Sequence, residues 1–323
     1  DMEMHRLAAF HAAHGAVMTP GVHPNDHPYD SDLVCVDEAG YVRAVRRKDS
    51  ADKSPMRNLV NTGIYAMSRR VIDFIPPDRS VDFGLDIMPA LVAKSEAVAG
   101  YRTPEYIKDV GTLDRLRAVE HDILRGEVAR RNLAVPRPAI FLDRDGVLNI
   151  EKGEGAPPDA LELLPGAAEA VRAINKSGYL AIAVTNQPGI AKGFLSFEDV
   201  EHAHMRLDFL LGEQRAFLDG IFFCPHHPEK GFAGERPELK IACDCRKPGA
   251  GMLLGAAARY NIDLGESYMV GDRTADMLAA RRAGVYPVLV RTGHGGKDGK
   301  VTVEPDRVCD DLMAAVAWIG SRP

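Results

Sequence analysis

Two aspartates stand two positions apart in the stretch PAIFLDRDGVLN, residues 138–149, directly after a short apolar run. Side chains alternate along an extended chain, so Asp143 and Asp145 are expected to leave the end of a strand on the same side. Two carboxylates this close repel each other unless a cation or a shared proton lies between them. The stretch alone is equally consistent with a strand that ends in an ordinary turn, because Asp-Gly is a common turn pair.

Polar residues also follow the next three strands predicted along the chain. Thr185 and Asn186 follow the second strand, Arg246 and Lys247 follow a loop beyond the third, and Asp272 follows the fourth. In a parallel sheet these ends lie along one edge, where ligands bind. Carboxylates and cations together suit phosphoryl transfer, because a divalent cation and basic groups neutralise the phosphoryl oxygens. Mg²⁺ prefers oxygen ligands, and a carboxylate can act as nucleophile or carry a proton.

Three of the five cysteines lie close to histidines, in the segments CPH (224–226) and CDC (243–245). Three thiolates and one imidazole can form a closed tetrahedral Zn²⁺ site, and four protein ligands leave no open position for catalysis. His227 is a rival ligand, and free buried thiols are the alternative to any metal. Cys35 and Cys309 have no predicted partner and are interpreted as small apolar fillers. An odd cysteine count without a secretory signal favours a reducing, cytoplasmic location.

From residue 139 onward, apolar strands alternate with amphipathic helices, which predicts an α/β fold with a Rossmann-like parallel sheet. The predicted strands are 139–143, 179–186, 221–224, 267–272 and 286–292, and the predicted helices are 167–178, 196–214, 252–261 and 274–284, followed by a final strand and helix.

Residues 1–132 are predicted to form a separate, mixed α/β domain. The expected elements are a helix within 7–17 that ends at Gly15, two strands over 33–48 with a turn at 38–40, a buried strand over 58–68, and helices over 85–94 and 113–132. The prolines of AVPRP interrupt regular structure, so 133–138 is predicted as a linker before a second domain, 139–323.

Composition excludes some classes of protein. The 323 residues carry a formal net charge of −6, which argues against general nucleic-acid binding but not against a small anionic substrate. No apolar run approaches the roughly 20 residues that would span a membrane. The sequence begins without Met and as if inside a helix, so we expect a start within a domain. Oligomeric state is not predicted.

The motifs DRDGVLN, VTNQPGIAKG, CPHHP, CDCRKPGAGM and SYMVGDRTADM follow one another within residues 139–295. In kind, order and spacing they resemble the haloacid-dehalogenase-type phosphatases. They are most similar to the D-glycero-D-manno-heptose-1,7-bisphosphate 7-phosphatase family, with histidinol-phosphate phosphatases as near relatives. The resemblance implies a Mg²⁺-dependent hydrolase that removes a phosphate from a small phosphorylated sugar through an aspartyl-phosphate intermediate.

The same resemblance implies roles for single residues. Asp143 would be the nucleophile and a Mg²⁺ ligand, Asp145 the general acid/base whose backbone carbonyl also meets the metal, and Asp272 a further Mg²⁺ ligand. The remaining implied roles are phosphoryl binding by Thr185 and Asn186, charge neutralisation by Lys247, contacts to the rest of the substrate by Arg246 and Gln187, and structural zinc binding by Cys224, His226, Cys243 and Cys245.

The sequence specifies the roles of three further features less closely. Asp276, one helical turn after Asp272, either supports the site or is a solvated acid favoured by the helix dipole. The segment EKGEGAPP, 151–158, departs from the Gly-Tyr-containing loop expected of the resembled family, and that loop helps to choose substrates. The segment GHGGKDGK, 293–300, is expected to be a flexible surface loop.

The segments NTGIYAMSRRVIDFIP, VDFGLDIMPALV and GYRTPEYIKDVGTLDRLRAVE resemble the C-terminal half of sugar-1-phosphate nucleotidyltransferases. The resemblance implies a Mg²⁺ site at Asp109 and a sugar site lined by residues 61–63 and Asp86. The glycine-rich nucleotide loop of that family is absent from the sequence, so we expect no nucleotidyl transfer by this chain as given. Asp109 could then equally be a capping acid before a glycine turn.

Pairing a 7-phosphatase with a nucleotidyltransferase domain favours consecutive steps of nucleotide-heptose synthesis. The leading hypothesis is therefore a heptose bisphosphate 7-phosphatase with catalytic Mg²⁺ and structural Zn²⁺. The alternatives are a histidinol-phosphate phosphatase and a non-catalytic, zinc-stabilised scaffold. The negative net charge of the chain argues against a phosphatase that acts on polynucleotide ends.

Overall fold

The computed structural model describes residues 2–37, 39–299 and 302–322. Contacts divide the chain into two compact units, Asp1–Val135 and Pro136–Pro323. Glu38 of the predicted 38–40 turn and Lys300 of the segment 293–300 lie outside the described residues.

The first unit contains a five-stranded sheet in the order β3-β2-β4-β1-β5, in which only the β1–β5 pair is parallel. Its core is apolar and includes Met18, Val34, Met88 and Leu91. The elements are α1 (Met4–Ala13), β1 (Met18–His23), β2 (Leu33–Val36), β3 (Val42–Arg46), β4 (Val60–Met67), α2 (Met88–Ala93), β5 (Tyr101–Arg102), α3 (Leu113–Leu124) and α4 (Glu127–Arg130).

Three predictions for this unit were wrong in detail. The helix predicted over 113–132 is two helices, because Gly126 adopts a left-handed conformation (φ +74°) that ends α3 and begins α4. The strand predicted as buried is β4, most of whose residues are only half-buried. The helix predicted over 85–94 is a π-helical turn, Phe83–Ile87, followed by α2.

The second unit contains a six-stranded parallel sheet in the order β11-β10-β9-β6-β7-β8, which confirms the predicted α/β class. Its elements are β6 (Ala139–Leu142), α5 (Ala167–Asn175), β7 (Leu180–Asn186), α6 (Phe197–Gly212), β8 (Gly220–Cys224), α7 (Gly251–Tyr260), β9 (Tyr268–Gly271), α8 (Thr274–Ala283), β10 (Tyr286–Val290), β11 (Arg307–Cys309) and α9 (Leu312–Gly320).

Strand β6 lies inside this sheet, between β7 and β9. All residues of β6 and β9, and all of β7 except Asn186, are buried, as in a parallel sheet covered on both faces. The chain runs from β6 to β7 on one side and returns to β9 on the other. The carboxyl end of β6 is therefore a topological switch point, where ligands of such sheets bind.

No helix among the described residues is both long and apolar enough to cross a membrane.

Candidate active site

The carboxyl ends of β6, β7 and β9 bring the predicted acids and polar groups to one cavity. Leu142, the last residue of β6, pairs with Ala183 of β7 and Val270 of β9, so the residues that follow these positions point to a common edge. The lining includes every residue predicted for catalysis, substrate binding or Mg²⁺ binding in the phosphatase except Asp272, namely Asp143, Asp145, Thr185, Asn186, Gln187, Arg246 and Lys247, together with Asp276.

Lys247 is the buried centre of the site. Its Nζ lies 2.8 Å from Asp143 Oδ1 and 2.7 Å from Asp276 Oδ1, and it donates to the carbonyl oxygen of Val184 at 2.8 Å. Burial lowers the pKa of this lysine, but the two carboxylates outweigh burial and raise it. Lys247 is therefore charged. Asp276 touches Lys247 directly, so the geometry favours support of the site over a solvated surface acid.

The Asn186 side chain holds the Lys247 backbone in place. Its Nδ2 donates to the Lys247 carbonyl oxygen and its Oδ1 accepts from the Lys247 N–H, both at 2.9 Å. Both the oxygen and the nitrogen of this side-chain amide are thus hydrogen-bonded to the backbone of Lys247. Direct contact between the Asn186 side chain and a phosphoryl group stays a prediction, whereas its positioning of Lys247 is visible.

Three buried carboxylates form a group that could hold a hard cation. One carboxylate oxygen from each of Asp143, Asp272 and Asp276 can be chosen so that all lie within 4.8 Å of one another. Burial and the charge of Asp276 raise the pKa of Asp143 to about 7, against the lowering effect of Lys247. Burial and Asp143 raise the pKa of Asp272 to about 6. Asp272 Oδ1 is buried and accepts no hydrogen bond from the described residues. A buried oxygen without a hydrogen-bond donor is what a metal ligand would look like in the absence of the metal.

The segment after β10, predicted to be a flexible surface loop, contacts Asp272 with its first part. The His294 N–H donates to Asp272 Oδ2 at 2.7 Å, and the Gly296 N–H donates to the Asp272 carbonyl oxygen at 2.7 Å. Thr292 Oγ1 donates to the Gly146 carbonyl oxygen at 2.7 Å. This segment fixes one oxygen of Asp272 and leaves the other directed into the acid group.

A separate network holds Asp145. The Arg144 guanidinium donates to both of its carboxylate oxygens at 2.9–3.3 Å, Asn149 Nδ2 donates to Oδ1 at 2.9 Å, and Gln187 Nε2 donates to Oδ2 at 2.9 Å. Burial raises the pKa of Asp145, but these contacts, led by Arg144, lower it overall. Gln187 Nε2 also donates to Thr185 Oγ1 at 2.9 Å. Gln187, which was expected to contact substrate, therefore joins the acid to Thr185.

The four predicted zinc ligands converge. The sulfur of Cys245 lies 3.0 Å from that of Cys224, 3.2 Å from that of Cys243 and 3.3 Å from His226 Nδ1. Three sulfurs and one imidazole nitrogen at such spacing are the donor set of a structural Zn²⁺ site. His227 is not in the group, and its Nε2 lies 3.9 Å from Glu229. Burial raises the pKa of the Cys224 thiol, so a metal would be needed to hold the thiolates together.

The zinc group is joined to the cavity by the next two residues of the chain. Arg246 and Lys247 follow Cys245 directly, and Arg246 Nη1 donates to the His226 carbonyl oxygen at 3.2 Å. Arg246 lines the cavity and forms no ion pair with an acid of the described chain. The arrangement suits its predicted contact with substrate.

The first unit offers no comparable acid cluster among the described residues. Asp109 is exposed and paired with Arg115 Nη1 at 2.6 Å, and it accepts from the Gly111 N–H, as a capping acid does. Asp86 accepts from the Asp82 N–H, and Asn61 donates to the Tyr65 hydroxyl. The sugar site predicted around these residues stays a prediction.

Sequence reasoning missed the groups that position the acids. Arg144 and Asn149 stand within residues 138–149, yet the sequence predicted no role for either of them. The sequence does carry a signal for both: Arg144 stands between two acids, and the Asn149 amide follows the second acid, Asp145, by four residues. The contact of Gly293 and His294 with Asp272 had no local signal, because about twenty residues separate the partners.

Comparisons with known proteins follow the division into two units. The HAD-hydrolase-like family profile matches residues 244–315, and the nucleotidyl transferase profile matches residues 1–126. The chain is 42% identical over 185 residues to D-glycero-beta-D-manno-heptose-1,7-bisphosphate 7-phosphatase of Salmonella typhi, covering 57% of this chain and 94% of the relative. A D-glycero-D-manno-heptose-1,7-bisphosphate 7-phosphatase of Thermosynechococcus vestitus is 42% identical over 196 residues, covering 57% and 96%.

Among solved structures, the D,D-heptose 1,7-bisphosphate phosphatase of B. bronchiseptica, complexed with magnesium and phosphate, is 35% identical with a TM-score of 0.49. It covers 56% of this chain and 97% of that one.

Proposed function

Because this chain belongs to the D-glycero-D-manno-heptose-1,7-bisphosphate 7-phosphatase family, we propose that it removes the 7-phosphate of that bisphosphate. The chain is a phosphoric monoester hydrolase of haloacid-dehalogenase-like fold joined to a nucleotidyl transferase domain. The observation that carries the proposed chemistry is the buried contact of Asp143 with Lys247, beside Asp272 and Asp276.

In the first step an Asp143 carboxylate oxygen attacks phosphorus. The bond between phosphorus and the sugar oxygen breaks, and the leaving oxygen takes a proton from Asp145. Lys247 neutralises charge on Asp143 and the phosphoryl oxygens, and the Thr185 hydroxyl donates a hydrogen bond to one of these oxygens. The product is an aspartyl phosphate.

In the second step Asp145 takes a proton from water. The water oxygen attacks phosphorus, the bond from phosphorus to Asp143 breaks, and inorganic phosphate leaves. Both acids return to their starting states. The contacts of Asp145 with Arg144, Asn149 and Gln187 favour the ionised form that this step requires.

The acid group fits Mg²⁺, with Asp143 and Asp272 as proposed ligands together with the backbone carbonyl of Asp145. Oxygen donors, their spacing and the unpartnered Asp272 Oδ1 support this choice. When bound, the ion supplies positive charge that stabilises the phosphoryl oxygens. Lys247 contacts the nucleophile Asp143, and Arg144, Asn149 and Gln187 fix the carboxyl group of Asp145, which gives a proton in the first step and takes one in the second.

The substrate proposal also draws on the nucleotidyl transferase match over residues 1–126. A 7-phosphatase yields a sugar 1-phosphate, which is what such a transferase activates, so the pairing supports a role in nucleotide-heptose synthesis. Histidinol phosphate is the second candidate substrate. The segment 151–158, which lines the cavity, is where the choice between the two would be made.

The test is phosphate release with Mg²⁺ from each anomer of heptose 1,7-bisphosphate and from histidinol phosphate. We expect the highest kcat/KM on a heptose bisphosphate, and Asp143→Asn serves as the control for contaminating phosphatases. Preference for histidinol phosphate would keep the mechanism and overturn the substrate. No release from any of them by a folded, metal-loaded chain would remove the phosphatase proposal altogether.

Loss of the zinc group should reduce activity although its residues do not touch the reacting atoms. In Cys243→Ala we expect the zinc content to fall well below one ion per chain and kcat to fall roughly tenfold or more, because the loop that delivers Arg246 and Lys247 is released. Metal analysis and steady-state kinetics measure both. Cys309→Ala, which removes a buried thiol outside the group, should leave both unchanged. Full activity in zinc-free Cys243→Ala would contradict the delivery role.

Magnesium binding should release protons near neutral pH. The pKa values of Asp143 and Asp272, about 7 and about 6, lie above the ordinary 3.8, so the cation-free folded chain binds more protons than the unfolded chain. Its free energy of unfolding therefore falls as pH rises from about 4 to about 7. At pH 6.5 a bound cation should expel roughly one proton, and at pH 8.5 none.

Titration calorimetry of Mg²⁺ in buffers of different ionisation enthalpy measures this release. We expect a buffer-dependent heat at pH 6.5 and tighter binding as pH rises. A heat independent of buffer at pH 6.5 would show that both acids are already ionised without the cation.

A further inference from the structure

Lys192, the lysine of the GIAKG stretch after β7, is a buried cation that neither step of the mechanism uses. Its side chain is only 11% exposed, and its Nζ lies 2.5 Å from Glu154 Oε2. Among the described residues, Glu154 is the one acid within 4.0 Å of this ammonium group. A buried ammonium group is costly unless an acid compensates for the lost water, so the position of Lys192 depends on Glu154.

The Lys192 ammonium group also faces the ring of Phe232, which lies in the segment 228–240 between the two halves of the zinc group. Lys192 Nζ lies 4.8 Å from the ring centroid, and Lys240 Nζ lies 4.6 Å from the same centroid. Glu235 Oε2 lies 3.5 Å from Lys240 Nζ and accepts from the Phe232 N–H at 3.1 Å. The ring is therefore held by its own segment and attracts the Lys192 charge through its π face.

The backbone on either side of Lys192 fits closely against the same two segments. A Cβ on Gly189 would lie 2.2 Å from the Glu154 carbonyl oxygen, and a Cβ on Gly193 would lie 2.0 Å from the Gly234 carbonyl oxygen. Only a residue without a side chain fits at either contact. Lys192 therefore stands on a stretch of chain that bridges the segment containing Glu154 and the segment containing Phe232.

Glu154 belongs to the segment 151–158 that lines the cavity, and its side chain is 44% exposed. We propose that Lys192 is a positioning residue for substrate selection. By holding Glu154 toward Phe232, it fixes the wall of the cavity that meets the part of the sugar that does not react. The inference rests on the proposed function in that it needs a substrate large enough to reach this wall.

The test compares heptose 1,7-bisphosphate with acetyl phosphate, whose leaving group is far smaller than a heptose. In Lys192→Met we expect KM for the bisphosphate to rise about tenfold and kcat to change less than about threefold, because a displaced wall weakens binding more than chemistry. The kcat/KM for acetyl phosphate should stay within about twofold of the wild-type value. Equal losses on both substrates would show that Lys192 serves the fold as a whole, and would overturn the proposal.

Two further variants separate position from charge. Lys192→Arg keeps a cation that can pair with Glu154 and stack on Phe232, so it should restore most of the wild-type KM. Lys192→Met/Glu154→Gln should be impaired as much as Lys192→Met, because the two residues act through one contact. Recovery in the double variant would show that only an unbalanced negative charge near an anionic substrate raises KM, which would overturn the proposal. Lys230→Met removes an exposed lysine of the segment 228–240 and should leave KM unchanged.

Hydrogen exchange distinguishes failure of this inference from failure of the proposed function, because it needs no substrate. In the full chain carrying Lys192→Met, the amides of 151–158 should exchange about tenfold faster or more, while those of β6 exchange as in the wild type. If the wild type hydrolysed acetyl phosphate but no heptose phosphate, this faster exchange would sustain the positioning role without the heptose assignment. Unchanged exchange over 151–158 would refute the role of Lys192 whatever the substrate is.

Discussion

Replacing Lys247 with methionine should reduce kcat by about a thousandfold or more while the chain still folds. Methionine keeps most of the buried length but removes the charge that lies 2.8 Å from Asp143 and 2.7 Å from Asp276. Burial and Asp276 already raise the pKa of Asp143, and Lys247 opposes them. Without it Asp143 should be protonated at neutral pH and unable to attack phosphorus. The variant also loses the positive charge that stabilises the phosphoryl oxygens, an effect worth about 10²–10³ in comparable sites.

The measurements are kcat against pH and thermal unfolding. In Lys247→Met the residual activity should rise toward higher pH over a range where the wild type has levelled off, because Asp143 then ionises. Lys176→Met removes an exposed lysine of the same unit and should change neither quantity. Retention of more than about a tenth of kcat by Lys247→Met would refute the central role given to this lysine.

Gly293→Ala should weaken Mg²⁺ binding by about ten- to a hundredfold, the range seen when groups behind metal ligands are changed. Gly293 has φ +57°, and a Cβ there would lie 2.8 Å from the Asp272 carboxyl carbon, closer still to Oδ2, and 2.9 Å from Gly146 Cα. The neighbour on one side is backbone, so the Asp272 side chain must move. That movement shifts the oxygen proposed to meet the metal.

Gly299→Ala is the matched control for backbone strain. Gly299 lies in the same segment with φ +63°, and a Cβ there meets nothing within 4 Å. Both variants should lose about 1 kcal/mol of stability from the left-handed conformation. Only Gly293→Ala should lose Mg²⁺ affinity by calorimetry. Equal affinities in the two variants would show that the segment after β10 does not position Asp272.

The sequence predicted what depends on strand order and on ligand chemistry. Asp143, Thr185 and Asp272 could be assigned to one edge because parallel strands end together, whatever the loops between them do. The cysteines could be grouped with a histidine because thiolates and an imidazole in two short segments suit one metal, whereas the choice of His226 over His227 came only from the family resemblance. These inferences need residue types and the period of the elements but no knowledge of side-chain direction.

What escaped prediction depends on contacts between distant or irregular segments. Gln187 reaches Asp145 from the end of β7, 42 residues further along the chain, and nothing in either segment specifies that contact. The composition of residues 293–300 is that of a mobile loop, yet positive φ angles let Gly293 approach Asp272 closely. Gly126 broke a helix whose amphipathic pattern continued through it, because one left-handed residue outweighs the pattern on either side.

The charge balance of the acid group links substrate binding to the divalent cation. When ionised, Asp143, Asp272 and Asp276 carry three negative charges against the one positive charge of Lys247, while Arg144 cancels Asp145. A phosphate dianion that reached the cation-free site would be repelled by the surplus. A divalent cation held by these acids would cancel that surplus. We therefore expect the cation-free chain to bind sugar phosphate more weakly than the cation-loaded chain does, so the concentration of free ion would set how much substrate is bound.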